Sequence, residues 1–519
     1  MSKKSKKITT KLAAGKSKKA VAQTLPKEWQ LLFNQGVEAH RQGNLQQTVD
    51  IYSQVLQTFP DHADSLHLVG LIFKDSGDLA QAETFISRAI ALSPSVAGYH
   101  FNFGVLLQES GDNSRAAEAY RNSIRLNPNN LQAYENLGVA LQDMDNLKAA
   151  EQAYKQALAL NKESLVALKN LGTLYFKKAN TAESLIYFDK ALAISPADPE
   201  LHLKRSGSLL RMGQWQDGWQ EYSWRFNAPT FLETNPVRSI GLPLICSSDT
   251  ADFNEKRVLI SCEQGLGDEI MFASCFADAI KQASHCVLEC DPRLLPMYSR
   301  SFPGATVVAK NQFDANTLDC YVRAGDLPQY FRHRDEDYTG ERYLQASSQL
   351  RAHWRNKLDV IGRPLKIGFS WRGGLEARAL AARSIELPQW KLLFTTPDVS
   401  FVNLQYKTTD DELATLKRFG NDTVSHFDEL DAFSDIESLA ALISELDLVI
   451  SADNVTVHLA GALGVPVWIL LPEGPERRWT DGRNDSVWYS SARLFHSSVT
   501  GGAGWSKVIT QVIKDLSKN

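Results

Sequence analysis

The residues best suited to chemistry lie in the second half of the chain, in loops that follow apolar, strand-like segments. The most specific loop follows a strand predicted over 448–452, where Asp453 is succeeded by a helix with Thr456 and Val457 in its first turn. Free N–H groups and the helix dipole at such a start favour an anion, so they predict a diphosphate site. A lone histidine is usually a satisfied helix residue, but His458 lies one turn into this helix, at the ligand end of the strand.

A second loop, with two glycines and an acid, follows a strand predicted over 257–262. It contains Gly265, Gly267 and Asp268, and the glycines allow a ligand to approach the backbone. The dinucleotide fingerprint requires a third glycine that this loop lacks, so a nicotinamide enzyme, with Glu289 on the ribose, is only an alternative. Asp268 has two interpretations, an acid favoured at a helix N-terminus or a general base that faces a cleft. Spacing alone does not decide between them.

A third loop is rich in arginine and glycine. It starts at Trp371 and Arg372, after a strand predicted over 365–371, and continues through Arg378 to Arg383. Guanidinium groups pair well with phosphate oxygens, so the loop suits an anionic ligand. The plain alternative is an exposed loop of ordinary charge. Gln405 ends the next predicted strand along the chain, where a ligand of such a sheet is also expected.

Strand-like and helical segments alternate from residue 255 onward, which predicts parallel sheets covered by helices on both faces. A first α/β lobe is expected over 255–345, with a helix over 269–282, and a second lobe over 365–519. The charged stretch 331–364 is expected to connect them, and further strands are predicted over 286–290, 401–405 and 465–471. Ligands of such sheets bind beyond the carboxyl ends of the strands, where all three loops lie.

The first half of the chain repeats every 34 residues over 27–230, in five regular frames and a looser sixth. One frame position is glycine in the first five frames, and it lets the two helices of a hairpin approach closely. A residue seven positions later ends the first helix, where positive φ is needed. An aromatic residue packs the second helix, and proline stops it in most frames. The pattern resembles the tetratricopeptide repeat family, whose arrays form a groove for peptides or partner proteins.

The sixth frame departs from the others because four aromatic residues replace small or polar positions. A terminal repeat must present an unlike face, so Trp215, Trp219, Trp224 and Phe226 are expected to dock the array onto the next domain. Stacking of one tryptophan on a sugar is the alternative. The stretch 231–254, with prolines and polar residues, is predicted to be a linker.

Charge and composition limit the remaining choices. The first 26 residues carry eight lysines and no acid, whereas the whole chain has a formal net charge of −4. They predict a disordered basic tail, with weak contact to anionic lipid or nucleic acid as the alternative. The six cysteines form no C-x-x-C pair, which argues against zinc and disulfides. Without an apolar run long enough for a signal or a membrane span, a cytoplasmic location is expected.

Two motifs resemble those of a known enzyme family. The run Asp453-x-x-x-x-His458-Leu-Ala-Gly-Ala-Leu-Gly-x-Pro resembles the nucleotide-sugar motif of the heptosyltransferases, and Gly265-Leu-Gly-Asp268 resembles their opening motif. Repeats joined to such a domain resemble bacterial relatives of the O-linked N-acetylglucosamine transferase. The resemblance covers about residues 254–495 and implies a GT-B fold, with two Rossmann-type lobes that hold the acceptor and the nucleotide sugar respectively.

The resemblance also assigns roles to residues. It implies that Thr456, Val457 and His458 contact the diphosphate, that Asp453 neighbours them, and that Asp268 is the base. One departure is Asn454, where many relatives have Ser or Thr. The predicted catalytic residues are Asp268 and His458, and the predicted donor-binding residues are Gly265, Gly267, Trp371, Arg372, Arg383, Gln405, Asp453, Thr456 and Val457.

The predicted function is a glycosyltransferase of the hexosyl- or N-acetylhexosaminyl-transferase type. It would move a sugar from a nucleotide diphosphate sugar to an acceptor hydroxyl, on a protein or peptide recruited by the repeats. No cofactor, metal or nucleic-acid partner is expected, and no D-x-D motif lies in a suitable loop. The alternative is a non-catalytic scaffold, in which the repeats recruit a partner and the α/β domain binds a nucleotide without turnover.

Overall fold

The computed structural model describes residues 23–245, 253–373, 383–497 and 502–518. The chain divides into two compact units, Met1–Leu174 and Tyr175–Asn519. This division falls inside the repeat region, so the last repeats belong to the same unit as the α/β sheets. Residues 1–22 of the predicted basic tail lie outside the described residues, as do Arg378 and its neighbours in the arginine-rich loop.

A helical solenoid of tetratricopeptide repeats occupies residues 27–222, which confirms the repeat prediction. Helices α1–α8 lie in the first unit, α9 crosses the division, and α10–α12 lie in the second unit. Within residues 23–245 the six helical pairs are α1 (Lys27–Arg41) and α2 (Leu45–Thr58), α3 (Ala63–Asp75) and α4 (Leu79–Leu92), α5 (Ala97–Glu109) and α6 (Asn113–Leu126), α7 (Leu131–Asp143) and α8 (Leu147–Leu160), α9 (Leu165–Lys177) and α10 (Thr181–Ile194), and α11 (Pro199–Arg211) and α12 (Trp215–Tyr222).

The repeat signature has the physical basis that the sequence predicts. A Cβ added at the first glycine position would lie 2.4–2.8 Å from the side chain at the aromatic position of the same repeat, as at Gly36, Gly70, Gly104 and Gly138. Only glycine permits that helix spacing. The turn position seven residues later has positive φ in every repeat, between 52° and 83°, including the two repeats with Asp145 and Ala179 there.

The first sheet of the second unit has four parallel strands in the order β3-β2-β1-β4. They are β1 (Arg257–Ser261), β2 (His285–Cys290), β3 (Thr306–Ala309) and β4 (Cys320–Arg323). The helices around it are α13 (Pro229–Leu232), α14 (Leu266–Phe272), α15 (Phe276–Gln282), α16 (Leu295–Ser301) and α17 (Pro328–Phe331). The single helix predicted over 269–282 is wrong in its start and continuity. It begins at Leu266, and a 3-10 turn separates α14 from α15.

The second sheet has six parallel strands in the order β10-β9-β8-β5-β6-β7. They are β5 (Leu365–Ser370), β6 (Val399–Asn403), β7 (Val424–Ser425), β8 (Leu448–Ala452), β9 (Val467–Leu471) and β10 (Ala492–His496). Its described helices are α18 (Ser348–Asp359), α19 (Leu387–Trp390), α20 (Asp410–Gly420), α21 (Ile436–Ile443), α22 (Val455–Leu463) and α23 (Gly502–Leu516). Every residue of β8 and β9 is buried, as expected for parallel strands covered on both faces.

The segment predicted as a linker also packs against the first sheet. Arg238 forms an ion pair with the buried Glu289 at 2.6 Å, and the backbone N–H of Ile245 donates to Tyr321 O at 2.9 Å. Since Glu289 lies beneath Arg238 and also accepts from Ser261, it does not face the cleft as a ribose ligand would. Residues 246–252 of this segment lie outside the described residues.

Three of the four aromatic residues of the last repeat contact the α/β part as predicted. The Phe226 ring lies beneath the Arg323 guanidinium of β4, 3.8 Å from ring centroid to Cζ. Trp215 Nε1 donates to Asp335 at 2.6 Å, and Trp219 Nε1 donates to the Tyr338 hydroxyl at 2.9 Å. Trp224 instead stacks on a histidine of α11, with ring centroids 4.1 Å apart. The last repeat is therefore anchored by two buried indoles.

The described residues contain neither a membrane-spanning helix nor a metal-binding cluster. None of their helices combines the length and the apolar character needed to cross a membrane, and the predicted cytoplasmic location stays a prediction. No cluster of three histidine, cysteine or acidic side chains among them is arranged to hold a metal ion. Five of the six cysteines are described, and each is free and buried.

Candidate functional site

The candidate site is a cavity of about 390 Å³ lined by loops from both parallel sheets. The loop after β1 and the start of α14 face the loop after β8 and the start of α22 across it. Six of the residues predicted from sequence line this cavity: Gly265, Gly267, Asp268, Arg383, Asp453 and His458. The carboxyl edges of the two sheets are thus brought together, as the strand-end argument requires.

Asp268 lies in the first turn of α14 and faces arginines of the second sheet's loops. Its Oδ1 is 3.3 Å from Arg478 Nη2 and 3.7 Å from Arg477 Nη2. Burial alone would raise the pKa of Asp268, but the guanidinium groups of Arg478 and Arg477 outweigh it and lower the pKa. These contacts are ion pairs without hydrogen-bond alignment, because Oδ1 accepts no hydrogen bond. Asp268 is therefore ionised and partnered by charge alone.

His458 is buried in α22 with both ring nitrogens engaged. Arg478 Nη1 donates to Nε2 at 2.8 Å, so Nδ1 carries the proton and donates to the Tyr489 hydroxyl at 2.9 Å. Burial and the positive charge of Arg478 lower the pKa of His458 well below its ordinary value. The imidazole is neutral and orients Arg478 toward Asp268.

The sequence interpretation missed the arginine pair Arg477 and Arg478 as site residues. Both follow β9 in a loop that also carries Glu476, and Glu476 forms an ion pair with Arg383. Burial alone would raise the pKa of Glu476, but Arg383, Arg478 and Arg477 lower it. Two consecutive arginines beyond the end of a predicted strand were a usable signal, since the same rule selected the other loops.

Gly267 has a packing role that the sequence interpretation did not foresee. A Cβ at this position would lie 2.9 Å from His458 Cδ2. The glycine therefore allows α14 of the first sheet and α22 of the second to approach each other at the site. Gly265 differs, since its nearest neighbour would be Asp268 Oδ2 at 3.9 Å.

Three residues of the predicted donor site do not line the cavity. Trp371 packs in the core of the second sheet, and Arg372 donates to Lys407 O at 2.6 Å and pairs with Glu412 at 3.1 Å. Gln405 accepts from the Trp371 and Arg372 backbone N–H groups at 3.1 and 3.0 Å. These side chains hold the loop after β5 in place instead of facing a ligand.

Thr456 and Val457 also lie outside the cavity lining, and the cap of α22 uses their backbone N–H groups. Asn454 Oδ1 accepts from Thr456 N at 2.9 Å, and Asn454 O accepts from Val457 N at 3.2 Å. The Asn454 amide also donates to Ser370 Oγ at 2.8 Å and so ties the ends of β8 and β5 together. A serine or threonine hydroxyl has a single proton to donate, so it offers fewer donors for such a link.

Part of the cavity lining is apolar and was not predicted. Tyr406, Phe433 and Ile436 line it, and the Tyr406 and Phe433 rings lie 6.2 Å apart. Arg293, from the first sheet, donates to Phe433 O at 2.9 Å at its rim. An aromatic wall beside a cationic one suits a ligand with a planar part and an anionic part.

The other acids of the second loop do not line the cavity. Glu263 is bound by the buried Arg225 at 2.6 Å and accepts from Gly325 N at 2.8 Å. Glu269 is buried and accepts from Asp291 N at 2.9 Å, and burial raises its pKa to about 8. Among the described acids of residues 263–269, Asp268 is the one that lines the cavity.

Comparisons with known proteins identify the repeats. Family models described as TPR repeat or tetratricopeptide repeat match residues 63–96, 106–145 and 137–199. The chain therefore contains tetratricopeptide repeats. The protein FlbA from Caulobacter vibrioides is 31% identical over 330 residues, which cover 58% of this chain and 53% of FlbA. The chain thus spans about half the length of this curated relative.

Solved structures also resemble part of the chain. MamA from Desulfovibrio magneticus RS-1 is 18% identical and covers 34% of this chain and 98% of its own, with a TM-score of 0.32. A tetratricopeptide repeat protein from Parabacteroides merdae is 20% identical and covers 39% of this chain and 80% of its own, with a TM-score of 0.35. The repeats themselves indicate that this protein interacts with other proteins.

Proposed function

We propose that the two sheets form a glycosyltransferase of GT-B architecture, which moves a sugar from a nucleotide diphosphate sugar to an acceptor hydroxyl. The acceptor would be a protein or peptide recruited by the repeats. One observation carries the proposal: Asp268 from the first sheet meets Arg478 and His458 from the second in a single cavity.

The cationic side of the cavity is suited to a leaving diphosphate. Arg383 and Arg478 line it, Arg477 lies behind Asp268 at 3.7 Å, and each of the three is paired with a carboxylate. Guanidinium groups bind phosphate oxygens in a bidentate manner and stabilise charge that develops as the bond to the sugar breaks. The aromatic side chains of Tyr406 and Phe433 would then stack on the planar nucleobase of the donor.

Asp268 is the proposed base, and donor binding would activate it. In this structure Arg478 and Arg477 lower its pKa, which weakens it as a base. A diphosphate that binds these arginines would neutralise their charge and return the Asp268 pKa toward its ordinary value. The acceptor oxygen would then bond to the anomeric carbon as the carbon–phosphate oxygen bond breaks, and its proton would pass to Asp268.

A specific observation favours the scaffold as a second candidate. Neither group suited to be a base is free, since Asp268 faces two arginines and both nitrogens of His458 are engaged. A nucleotide-binding domain without turnover would have the same arrangement. The two candidates share the ligand and differ in whether a product forms.

A panel of nucleoside diphosphates, nucleotide sugars and pyrophosphate in a thermal-shift assay tests the site. A ligand at 100 times its Kd should add about 2.7 kcal/mol to the free energy of unfolding. Arg478→Gln should abolish the shift, whereas the control Arg418→Gln, at an exposed position of α20, should retain it. If no compound raises the Tm, the donor site is wrong. Binding without transfer or hydrolysis of any bound nucleotide sugar would instead support the scaffold.

A further inference from the structure

The last aromatic residue of the repeat array, Tyr222, has a hydroxyl that the repeat packing does not require. It occupies the frame position held in earlier repeats by Tyr52, Ile86, Tyr120, Tyr154 and Phe188. Ile86 and Phe188 have no hydroxyl, and both are almost fully buried in their own repeats. The side chain at this position is needed for packing, so the Tyr222 hydroxyl is available for another role.

That hydroxyl reaches the candidate site. It donates to Gln264 Oε1 at 2.9 Å and accepts from Arg477 Nη2 at 2.6 Å. The Arg477 guanidinium also lies 4.5 Å from the centroid of the Tyr222 ring. Tyr222 is 1% exposed, so water does not compete for these contacts. One residue of α12 thus binds two segments of the site that lie far apart in the sequence.

These contacts hold the Gln264 backbone in an unfavourable conformation. Its φ is 63°, in the left-handed region, and its side-chain Nε2 is buried without a hydrogen-bond partner. Such strain persists only where surrounding contacts over-determine it, and it occurs preferentially at functional sites. Gln264 lines the cavity and directly precedes Gly265. Arg225, also from the last repeat, binds the preceding Glu263 at 2.6 Å.

We propose that Tyr222 is a positioning residue for the site, acting through Arg477 and Gln264. Its hydroxyl holds the guanidinium of Arg477 near Asp268 and fixes Gln264, the residue before the Gly265 cap of α14. The end of the repeat array therefore forms part of the anion-binding machinery and is more than a tether. This inference rests on the proposed function, because it assigns Tyr222 to the binding of the donor's diphosphate.

The variant Tyr222→Phe removes the hydroxyl and retains the ring. The probes are pyrophosphate and whichever nucleoside diphosphate gives the largest thermal shift with the wild-type protein, both titrated by calorimetry. Loss of a hydrogen bond to a charged group predicts binding about tenfold weaker. Because the hydroxyl is buried, the Tm should also fall by a few degrees, so the titrations are run well below the Tm of the variant. Tyr154→Phe is the matched control at the same repeat position, and its affinity for both probes should equal that of the wild type.

Two further variants separate positioning from a merely structural role. In an Arg477→Gln background, Tyr222→Phe should weaken binding by much less than tenfold, because the residue through which it acts is gone. Gln264→Gly removes the strained side chain, so it should leave Tm unchanged or higher while it weakens binding. The assignment is wrong if the affinity losses of Tyr222→Phe and Arg477→Gln multiply in the double variant. It is also wrong if the Tm falls so far that partial unfolding accounts for the weaker binding.

The outcomes also separate this inference from the proposed function. If the wild-type protein binds neither probe, both are wrong. If it binds a probe and Tyr222→Phe binds equally well, the donor site stands and the positioning role of Tyr222 is wrong.

Discussion

Gly267→Ala should damage the candidate site, whereas Gly265→Ala, two residues earlier, should not. The added methyl group at position 267 would lie 2.9 Å from His458 Cδ2. Carbon atoms pack at about 3.5–4.0 Å, so the ring or the backbone must move by roughly 0.6 Å or more. The ring has no free direction, because Arg478 and Tyr489 hold its two nitrogens at 2.8 and 2.9 Å.

The displacement must therefore break one of these hydrogen bonds or move α14 away from α22. Overpacking of this kind costs about 1–3 kcal/mol, so the Tm should fall by several degrees. Binding of a nucleoside diphosphate should weaken as well, because Arg478 loses its alignment. At position 265 the φ is −87° and the nearest atom to a Cβ would be 3.9 Å away, so alanine fits there.

Thermal unfolding and calorimetric titration of the two variants test this reasoning. The Gly265→Ala protein should match the wild type in Tm and in affinity. If Gly267→Ala is as stable as Gly265→Ala and binds equally well, the close contact between the two sheets' helices is not a determinant of the site.

Three other predictions concern Asp268, Glu269 and the last repeat. Asp268→Asn should lower kcat by about 10²–10⁴-fold, and it should tighten diphosphate binding about threefold or more, because the two arginines lose a competing anion; unchanged kcat would make Asp268 only a helix-terminal acid. Burial raises the Glu269 pKa to about 8, so the folded protein retains a proton that the unfolded chain releases above about pH 4.5, and stability falls as pH rises to about 8. The free energy of unfolding of Glu269→Gln should therefore exceed that of the wild type by about 3–5 kcal/mol at pH 8, and the two should be equal near pH 4.5. A difference in Tm that does not depend on pH would contradict this. A chain that begins at residue 240 lacks Arg211, Trp215 and Arg225, which are fully or almost fully buried. It should therefore lose the cooperative thermal unfolding transition and the ligand-induced rise in Tm. A chain that begins at residue 163 should retain both.

The repeats and the sheets were predictable because their signals are local. A 34-residue period fixes which residues touch within each hairpin, and an apolar run bounded by polar loops marks a buried parallel strand. Element ends were less certain: the predicted strand 401–405 is observed at Val399–Asn403, and the helix that contains Asp268 begins at Leu266. Pattern alone does not show which backbone groups a cap will satisfy.

The site was predictable in location but not in its partners. The strand-end rule selected the loops that carry Asp268, Asp453 and His458, and these residues do share a cavity. The rule predicted that the Thr456 N–H group is free for a ligand, but that group donates a hydrogen bond to Asn454 Oδ1. It treated Gly265 and Gly267 alike, although only Gly267 packs against another helix. Such differences depend on contacts between segments distant in the sequence.

The balance of charge in the cavity connects the two interpretations of Asp268. The cations that line it, Arg293, Arg383 and Arg478, are matched by the acids Asp268, Asp291 and Asp453. An anionic ligand must therefore displace a carboxylate from its guanidinium partner in order to bind. Before binding, Asp268 is an acid held at a helix start by arginines, and in the proposed mechanism ligand binding would raise its pKa beside the reacting atoms. In that mechanism the donor would bind first and the base would become competent afterwards, so initial rates should show ordered addition, with donor before acceptor.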